Sequence, residues 1–336
     1  TQDKVDTAMK ANREKALREY YNQPTRDGGV NQIVKWGTIR RNENFYLPQL
    51  NYTEGSNICL ALDPARTLDN SILGTMKIVN DPNYGYIGEI VNCVNLFDKA
   101  SKSGYKLDSN RQLKEIRKYL SVYNGQHNDY VNIDSLLVDQ GSGGGGVSTY
   151  ADGLLNDWTS DDGRLHRGLI DANHEIYAGY KELYPNAIDK LKLISPRKYR
   201  TKMVDEMIEL MDLGVIKFPY EYKQEFIAFS KMDSENQNEE RIEDYQLSGK
   251  EIIALQNIDL MKIETTSIYK YENAEKTSKT YALAKDKENS MHDDRFYVLI
   301  MLAHRLYELR RGQTITTEQP KRDYKSAPTC ISTISF

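Results

Sequence analysis

The sequence predicts an α/β fold in which a mixed sheet is flanked by helices. Three observations lead there. Two apolar, strand-like runs each close on an aspartate, Asp63 after SNICLAL and Asp139 after SLLV. A third acidic position, the Asp293–Asp294 pair, opens the long apolar helical run RFYVLIMLAHRL. Between these points, closely spaced strand patterns give way to alternating helices and strands.

Residues 1 to 24 read as a polar helix with a thin stripe of Val5, Met9, Leu17, Tyr20 and Tyr21, ended by Pro24 and the turn Asp27-Gly28-Gly29. So polar a helix is expected to pack on something else, and a start at Thr1 reads as an excised or processed product. Residues 30 to 55 read as an irregular lead-in. Asn57 to Asp63, Ser71 to Val79 and Tyr86 to Asn95 come next as three strands whose short Asp/Asn/Gly/Pro links imply an antiparallel meander.

Leu113, Ile116 and Leu120 give Arg111 to Tyr123 helical spacing, Ile133 to Val138 is a buried strand, and Val147 to Trp158 is read as helical. Leu191 to Ile194 and Val215 to Phe218 are short strands. The helix Thr201 to Leu213, stopped by Gly214, carries Met203, Met207, Leu210 and Met211 on one face as core packing. The charged stretch 231 to 248 reads as a mobile insertion. Ile263 to Tyr271 and Lys279 to Ala284 read as a hairpin, the final helix runs from Asp294 to Arg311, and the last residues read as a loose tail. The expected organisation is a lead-in over 1–50, one domain over 51–311 and a tail over 312–336.

Composition narrows the function classes. Charged residues make up 28% of the chain, and the mean hydropathy of -0.68 fits a protein that stays in water. No apolar run reaches membrane-spanning length, and no leader pattern precedes the body. Cys59, Cys93 and Cys330 lack CxxC spacing, which disfavours a disulfide framework or a zinc site and fits a reducing compartment. A net charge of -4 argues against binding DNA by global charge but allows local basic patches.

Carboxylates at the ends of apolar elements need a cation to neutralise them. Several meeting at one point form an oxygen-only site suited to Mg²⁺ or Mn²⁺. A strand acid, a second strand acid and a helix-start acid, in that chain order, is how ribonuclease H-like nucleases of the integrase and resolvase type build a two-metal site.

The segments LALDPARTLDNSILG, LLVDQGSGGG and HDDRFYVLIMLAHRLYELRR, in that order, resemble the C-terminal nuclease domain of tailed-phage terminase large subunits, over about residues 51 to 311. The lead-in REYYNQPTRDGG is similar to the segment that comes after the motor domain in that family. The resemblance implies an endonuclease that cuts concatemeric double-stranded DNA during viral genome packaging, in the cytoplasm of the infected bacterium. It implies a motor (ATPase) domain, a portal protein and a small terminase subunit as partners, with no membrane. It places the catalytic metal ligands on Asp63, Asp139 and the Asp293–Asp294 pair. Within the pair one Asp is expected to ligate directly, with a lean to Asp294, while helix capping accounts equally for one member.

Asp69 is a further candidate ligand, although closing the turn Leu68-Asp69-Asn70 explains it more simply. The run Gly141 to Gly146, less Ser142, lacks the lysine of a phosphate-binding loop, so no ATPase motif is met. Gly143 and Gly144 could instead let a DNA backbone approach the metals. Arg197, Lys198, Arg200 and Lys202 at a strand-to-helix junction, and Arg305, Arg310 and Arg311 on the last helix, are the candidate DNA grips; a solvated face accounts for both equally well. The histidines share no ligand spacing. A junction resolvase, a transposase or a non-catalytic packaging module whose acids hold a structural ion are the alternatives; no base-reading module of a transposase is visible.

Overall fold

The computed structural model describes residues 31–64, 71–96, 109–125, 127–140, 147–222, 226–232, 240–272, 279–288 and 290–316. A short helix α1 (Trp36–Arg41) and strand β1 (Glu43–Asn44) lead into the meander β2 (Asn57–Asp63), β3 (Ile72–Asp81) and β4 (Gly85–Asn95). Helix α2 (Ser109–Asn124), β5 (Ile133–Asp139) and α3 (Val147–Leu155) follow. The two-residue strands β6 (Trp158–Thr159), β7 (Leu165–His166), β8 (Leu169–Ile170) and β9 (Ile188–Asp189) bracket the single turn α4 (Tyr180–Leu183). Then come β10 (Leu191–Ile194), α5 (Pro196–Asp212), β11 (Ile216–Pro219), β12 (Phe226–Met232), β13 (Glu240–Gln246), α6 (Gly249–Thr266), β14 (Ile268–Glu272), β15 (Lys279–Leu283) and α7 (Asp294–Thr316).

The main sheet has the order β1-β11-β4-β3-β2-β5-β10. The meander pairs antiparallel, whereas β5 lies parallel to β2 and β10 parallel to β5. A three-strand meander extended by two parallel strands, with helices in the crossovers, is the ribonuclease H-like arrangement; β11 and β1 widen its far edge.

Both faces of the sheet are covered, and strand alternation decides which residue serves which core. Ile58, Leu60, Leu62, Leu136 and Val138 pack with Leu113, Ile116 and Leu120 of α2 and Leu154 of α3. Cys59, Ala61 and Leu137 face the other way, onto Met203 and Met207 of α5, Ile258 of α6 and the apolar stretch of α7. Helix α7 is buried from Phe296 to Ala303 except at the half-buried Tyr297, as a helix between a sheet and two other helices must be.

Gly74 permits the close approach: a Cβ there would lie 2.3 Å from Val298 Cγ1. Val298 thus sits over the Ala61↔Gly74 pair, while further along the helix Gln313 Oε1 accepts from the Tyr86 amide at 3.0 Å. Helix α7 therefore runs antiparallel to β2, and its acidic start lies at the Asp63 end of the sheet.

Several expectations are corrected. The segment 231 to 248 contains ordered strand: β12 and β13 pair residue for residue from Phe226↔Gln246 to Met232↔Glu240. Residues 263 to 266 are not strand but the last turn of α6, whose start is fixed by a capping box between Ser248 and Glu251. Only Ile268 to Glu272 pair with β15. The helix expected from Thr201 begins at Pro196, a favoured first position, and bends at Tyr199. Helix α3 stops at Leu155, leaving Trp158 to pair with His166. The irregular lead-in holds α1 and β1. The polar helix over 1 to 24 lies outside the described residues, as does the tail beyond Thr316.

Candidate active site

Leu62 and Val138 are register partners on the adjacent parallel strands β2 and β5. The next residue on each is an aspartate, Asp63 and Asp139. By alternation Asp63 continues the face of Ala61 and Asp139 that of Leu137, which is the α7 face. Neighbouring strands lie about 4.8 Å apart, so two half-buried carboxylates stand side by side at the same sheet end.

On the far side of Asp139, Ile194 of β10 pairs with it, and α5 begins two residues later. The parallel ladder thus brings the start of α5, with Arg197 and Arg200, to the acidic edge, while Lys198 lies over the Tyr199 ring and Lys202 pairs with Glu206 at 3.7 Å. Arg200 Nη2 donates to Asp293 Oδ2 at 3.1 Å, and its guanidinium lies 4.8 Å from the centre of the Tyr297 ring. Burial pushes the Tyr297 phenol up to about 12; Arg200 opposes, and the charges of Asp293, Asp63 and Asp139 add to the rise. One ring therefore lies in the field of acids from all three elements.

The start of α7 is fixed from below. Glu264 at the end of α6 accepts from the Arg295 amide at 2.8 Å and the Phe296 amide at 3.2 Å, two of the orphan donors of the helix start. Its other oxygen receives Arg295 Nη1 at 2.8 Å. Asp294 is only 8% exposed, and burial, with Asp294 adding, pushes the Glu264 carboxyl up against the pull of Arg295. The two acids of the pair thus differ in surroundings: Asp293 meets Arg200, and Asp294 lies within the field of Glu264.

Among the described residues, no group of three or more His, Cys, Asp or Glu side chains is drawn together so as to hold a metal ion. The donor set itself, carboxylate oxygens only, fits a hard divalent cation, and Arg200 already lends it a positive charge. Asp69, Gly143 and Gly144 lie outside the described residues.

The basic residues of α7 have other partners. Arg305 grips Asp134, at the opposite end of β5 from Asp139, through Nε at 2.7 Å and Nη2 at 3.1 Å. Arg310 donates to the Tyr84 carbonyl at 2.7 Å and to that of Tyr86, and Arg311 lies over the Tyr307 ring. These contacts lie about three to five turns from the acids, as the helical rise requires.

Sequence reasoning gave His174 no role, yet its Nε2 lies 3.0 Å from Gln140 Oε1, beside Asp139. Its Nδ1 accepts from the Ile176 amide at 3.4 Å, which leaves the proton on Nε2 to donate to Gln140. Tyr297 and Glu264 were also missed. The spacing of Tyr297, one helical turn past Asp293, was the available signal for the first; nothing local marks the second.

The sheet order and its flanking helices define a ribonuclease H-like fold, with Asp63 and Asp139 at the sheet end where α7 begins. No family model and no curated protein matches the chain. Among solved structures it is similar to phage large terminase nucleases. The large terminase nuclease of thermophilic phage G20c with bound magnesium aligns over 82% of this chain and 98% of that one, at 10% identity and a TM-score of 0.44. The large terminase nuclease domain of Thermus phage P74-26 aligns over 83% and 96%, at 11% and 0.41. The HK97 bacteriophage large terminase aligns over 90% of this chain but 50% of that one, at 10% and 0.41. At that level of likeness neither substrate nor chemistry transfers to this chain.

Proposed function

We propose that the chain is a metal-dependent endonuclease that cuts concatemeric double-stranded viral DNA during genome packaging. The observation that carries the nuclease reading is the placement of Asp63 and Asp139 side by side on the α7 face, at the sheet end where the Asp293–Asp294 pair begins α7. The packaging context comes from the three ordered segments that resemble terminase nuclease domains.

Asp63, Asp139 and the Asp293–Asp294 pair are the residues that would hold one or two Mg²⁺ or Mn²⁺ ions. Such ions supply an activated water and charge stabilisation for the leaving oxygen of a phosphodiester. The protein's own part is to orient these carboxylates from three separate elements, since no single helix or strand can surround an ion pair. Arg197, Lys198 and Lys202 at the start of α5 offer positive charge on the approach to the acids, where phosphates are neutralised and positioned without base reading. Tyr297 walls the acids on the α7 side.

In this reading the partners are double-stranded DNA, a motor domain, a portal protein and a small terminase subunit, and the setting is the cytoplasm of an infected bacterium. Among the described residues no helix is long and apolar enough to cross a membrane. The test is cleavage of supercoiled plasmid with Mg²⁺ or Mn²⁺. Nicked and linear products that vanish with chelator and with Asp63→Ala support the proposal; cutting that survives either treatment overturns it.

A further inference from the structure

Arg200 is unusual among the basic residues at the acidic edge. Its side chain is 21% exposed and that of its partner Asp293 29%. It is held on two sides, by the Asp293 carboxylate at 3.1 Å and by the face of Tyr297 at 4.8 Å. Its Nε–H, in contrast, is buried with no hydrogen-bond partner, a costly state for a charged donor. The guanidinium thus uses one edge on the acid and keeps another donor in reserve. Tyr297 also lies in the field of Asp63 and Asp139, so the positive charge on its face is set among the acids of all three elements.

We infer that Arg200 is a built-in counter-ion for the acidic cluster, which a divalent cation displaces from Asp293 and which is thereby released to grip a DNA phosphate. This rests on the metal-dependent nuclease reading above and adds a regulatory step to it. The displacement follows from charge: an ion entering beside Asp293 takes the oxygen that Arg200 now uses and repels the guanidinium. The freed group has a fork of donors suited to a phosphate, including the Nε–H that has no partner now. The acids then need no metal to remain folded together, and the ion and DNA favour each other's binding through one side chain. By linkage that coupling is reciprocal.

The experiment is calorimetric titration of the chain with Ca²⁺, and separately with Mn²⁺, in the wild type, Arg200→Ala, Arg200→Lys and Asp63→Ala, with circular dichroism as a check on folding. If Arg200 competes with the ion, Arg200→Ala binds the first ion about tenfold or more tightly than the wild type. Arg200→Lys, which keeps the charge, stays within about threefold of the wild type. In the same variants, binding of a DNA duplex is measured with and without Ca²⁺. The wild type gains affinity when Ca²⁺ is added, and Arg200→Ala loses most of that gain. Ion binding in Arg200→Ala equal to or weaker than in the wild type overturns the counter-ion role while leaving the metal site standing. Failure of the wild type to bind either ion, or equal binding by Asp63→Ala, overturns the metal reading itself.

Discussion

Asp63 and Asp139 stand one residue beyond the paired Leu62 and Val138, at the ends of neighbouring parallel strands and on the same face of the sheet. Two like charges so placed repel, and folding holds them together against that repulsion. Their removal should therefore relieve strain. Asp63→Ala or Asp139→Ala should lower plasmid cleavage by about a hundredfold or more, a loss comparable to deleting an electrostatic group at a reacting centre. The melting temperature should stay level or rise. Thermal unfolding followed by circular dichroism, beside a cleavage time course, reads both; a variant that cuts at the wild-type rate removes that aspartate from the site.

An oxygen-only donor set also fixes the choice of ion. Mn²⁺ should support cleavage at least as well as Mg²⁺, because it binds such sites more tightly. Ca²⁺ should occupy the site yet support little hydrolysis, and excess chelator should abolish cutting. Cleavage rates across the three ions settle this, and a preference for Zn²⁺ would point to ligands other than carboxylates.

A second acid–base pair supports the sheet from below. Burial pushes the Asp134 carboxyl up, but the hydrogen bonds and charge of Arg305, with Ser135 and Lys190 assisting, hold it below the ordinary carboxylate value. A lowered value in the folded state means stability that is present above the unfolded value and is lost as pH falls through the folded one. Asp134→Ala leaves the half-buried Arg305 with Glu308, and should cost about 2 kcal/mol at neutral pH. Urea unfolding should show that deficit at pH 7 and a smaller one at the acid end. A constant deficit across pH would mean that packing, not the ion pair, accounts for it.

Glu264 ties the end of α6 to the beginning of α7, so its loss should reach the site without touching it. Glu264→Ala takes the carboxylate from Arg295, 8% exposed, leaving it the neutral Asn257 carbonyl at 2.9 Å, and strands two helix-start amides. About 3 kcal/mol of stability should go with it, and cleavage should fall because the Asp293–Asp294 turn loses its anchor. Urea unfolding and cleavage rates at a temperature where the variant remains folded separate the two effects; unchanged cleavage there would show that the α7 start is held by packing alone.

How much of this could be read from the residues depends on range. The meander and β5 were legible because apolar runs alternate between clear Asn, Asp, Gly and Pro breaks, and the acids at their ends stood out against them. Helix α6 was not: Ile252, Ile253, Ile258 and Ile263 are β-branched and spread over several faces, so that no helical stripe emerges, and only the pair Ser248 and Glu251 marked its start. The side of α7 on which each arginine acts was equally hidden. Arg305 lies eleven residues past Asp294, about 16 Å along the axis, and only the antiparallel course of α7 over β2 shows that Asp134, rather than Asp139, is there to meet it. Arg200 and Asp293 are far apart in sequence, and their contact depends on β10 lying beside β5.

The same geometry divides the basic residues by position. Arg197, Lys198 and Lys202 lie on the first turns of α5, beside the strand that pairs with Asp139, with Lys202 3.7 Å from Glu206; Arg305 and Arg310 lie farther along α7, against Asp134 and the carbonyls of Tyr84 and Tyr86. With a net charge of -4 the chain can neutralise few phosphates at once, so DNA binding should be weak and only shallowly salt-dependent. The logarithm of affinity should fall with the logarithm of salt by about 0.9 for each phosphate contacted. Arg197→Glu or Lys202→Glu should weaken binding to every sequence alike and flatten that slope by about one contact. Arg310→Glu should act on stability and leave the slope unchanged. Fluorescence anisotropy of a labelled duplex across a salt series, in Ca²⁺ to prevent cutting, gives the slope for each variant. If Arg310→Glu flattens it and Arg197→Glu does not, the DNA path runs along the far end of α7 instead of the mouth formed by β5, β10 and α5.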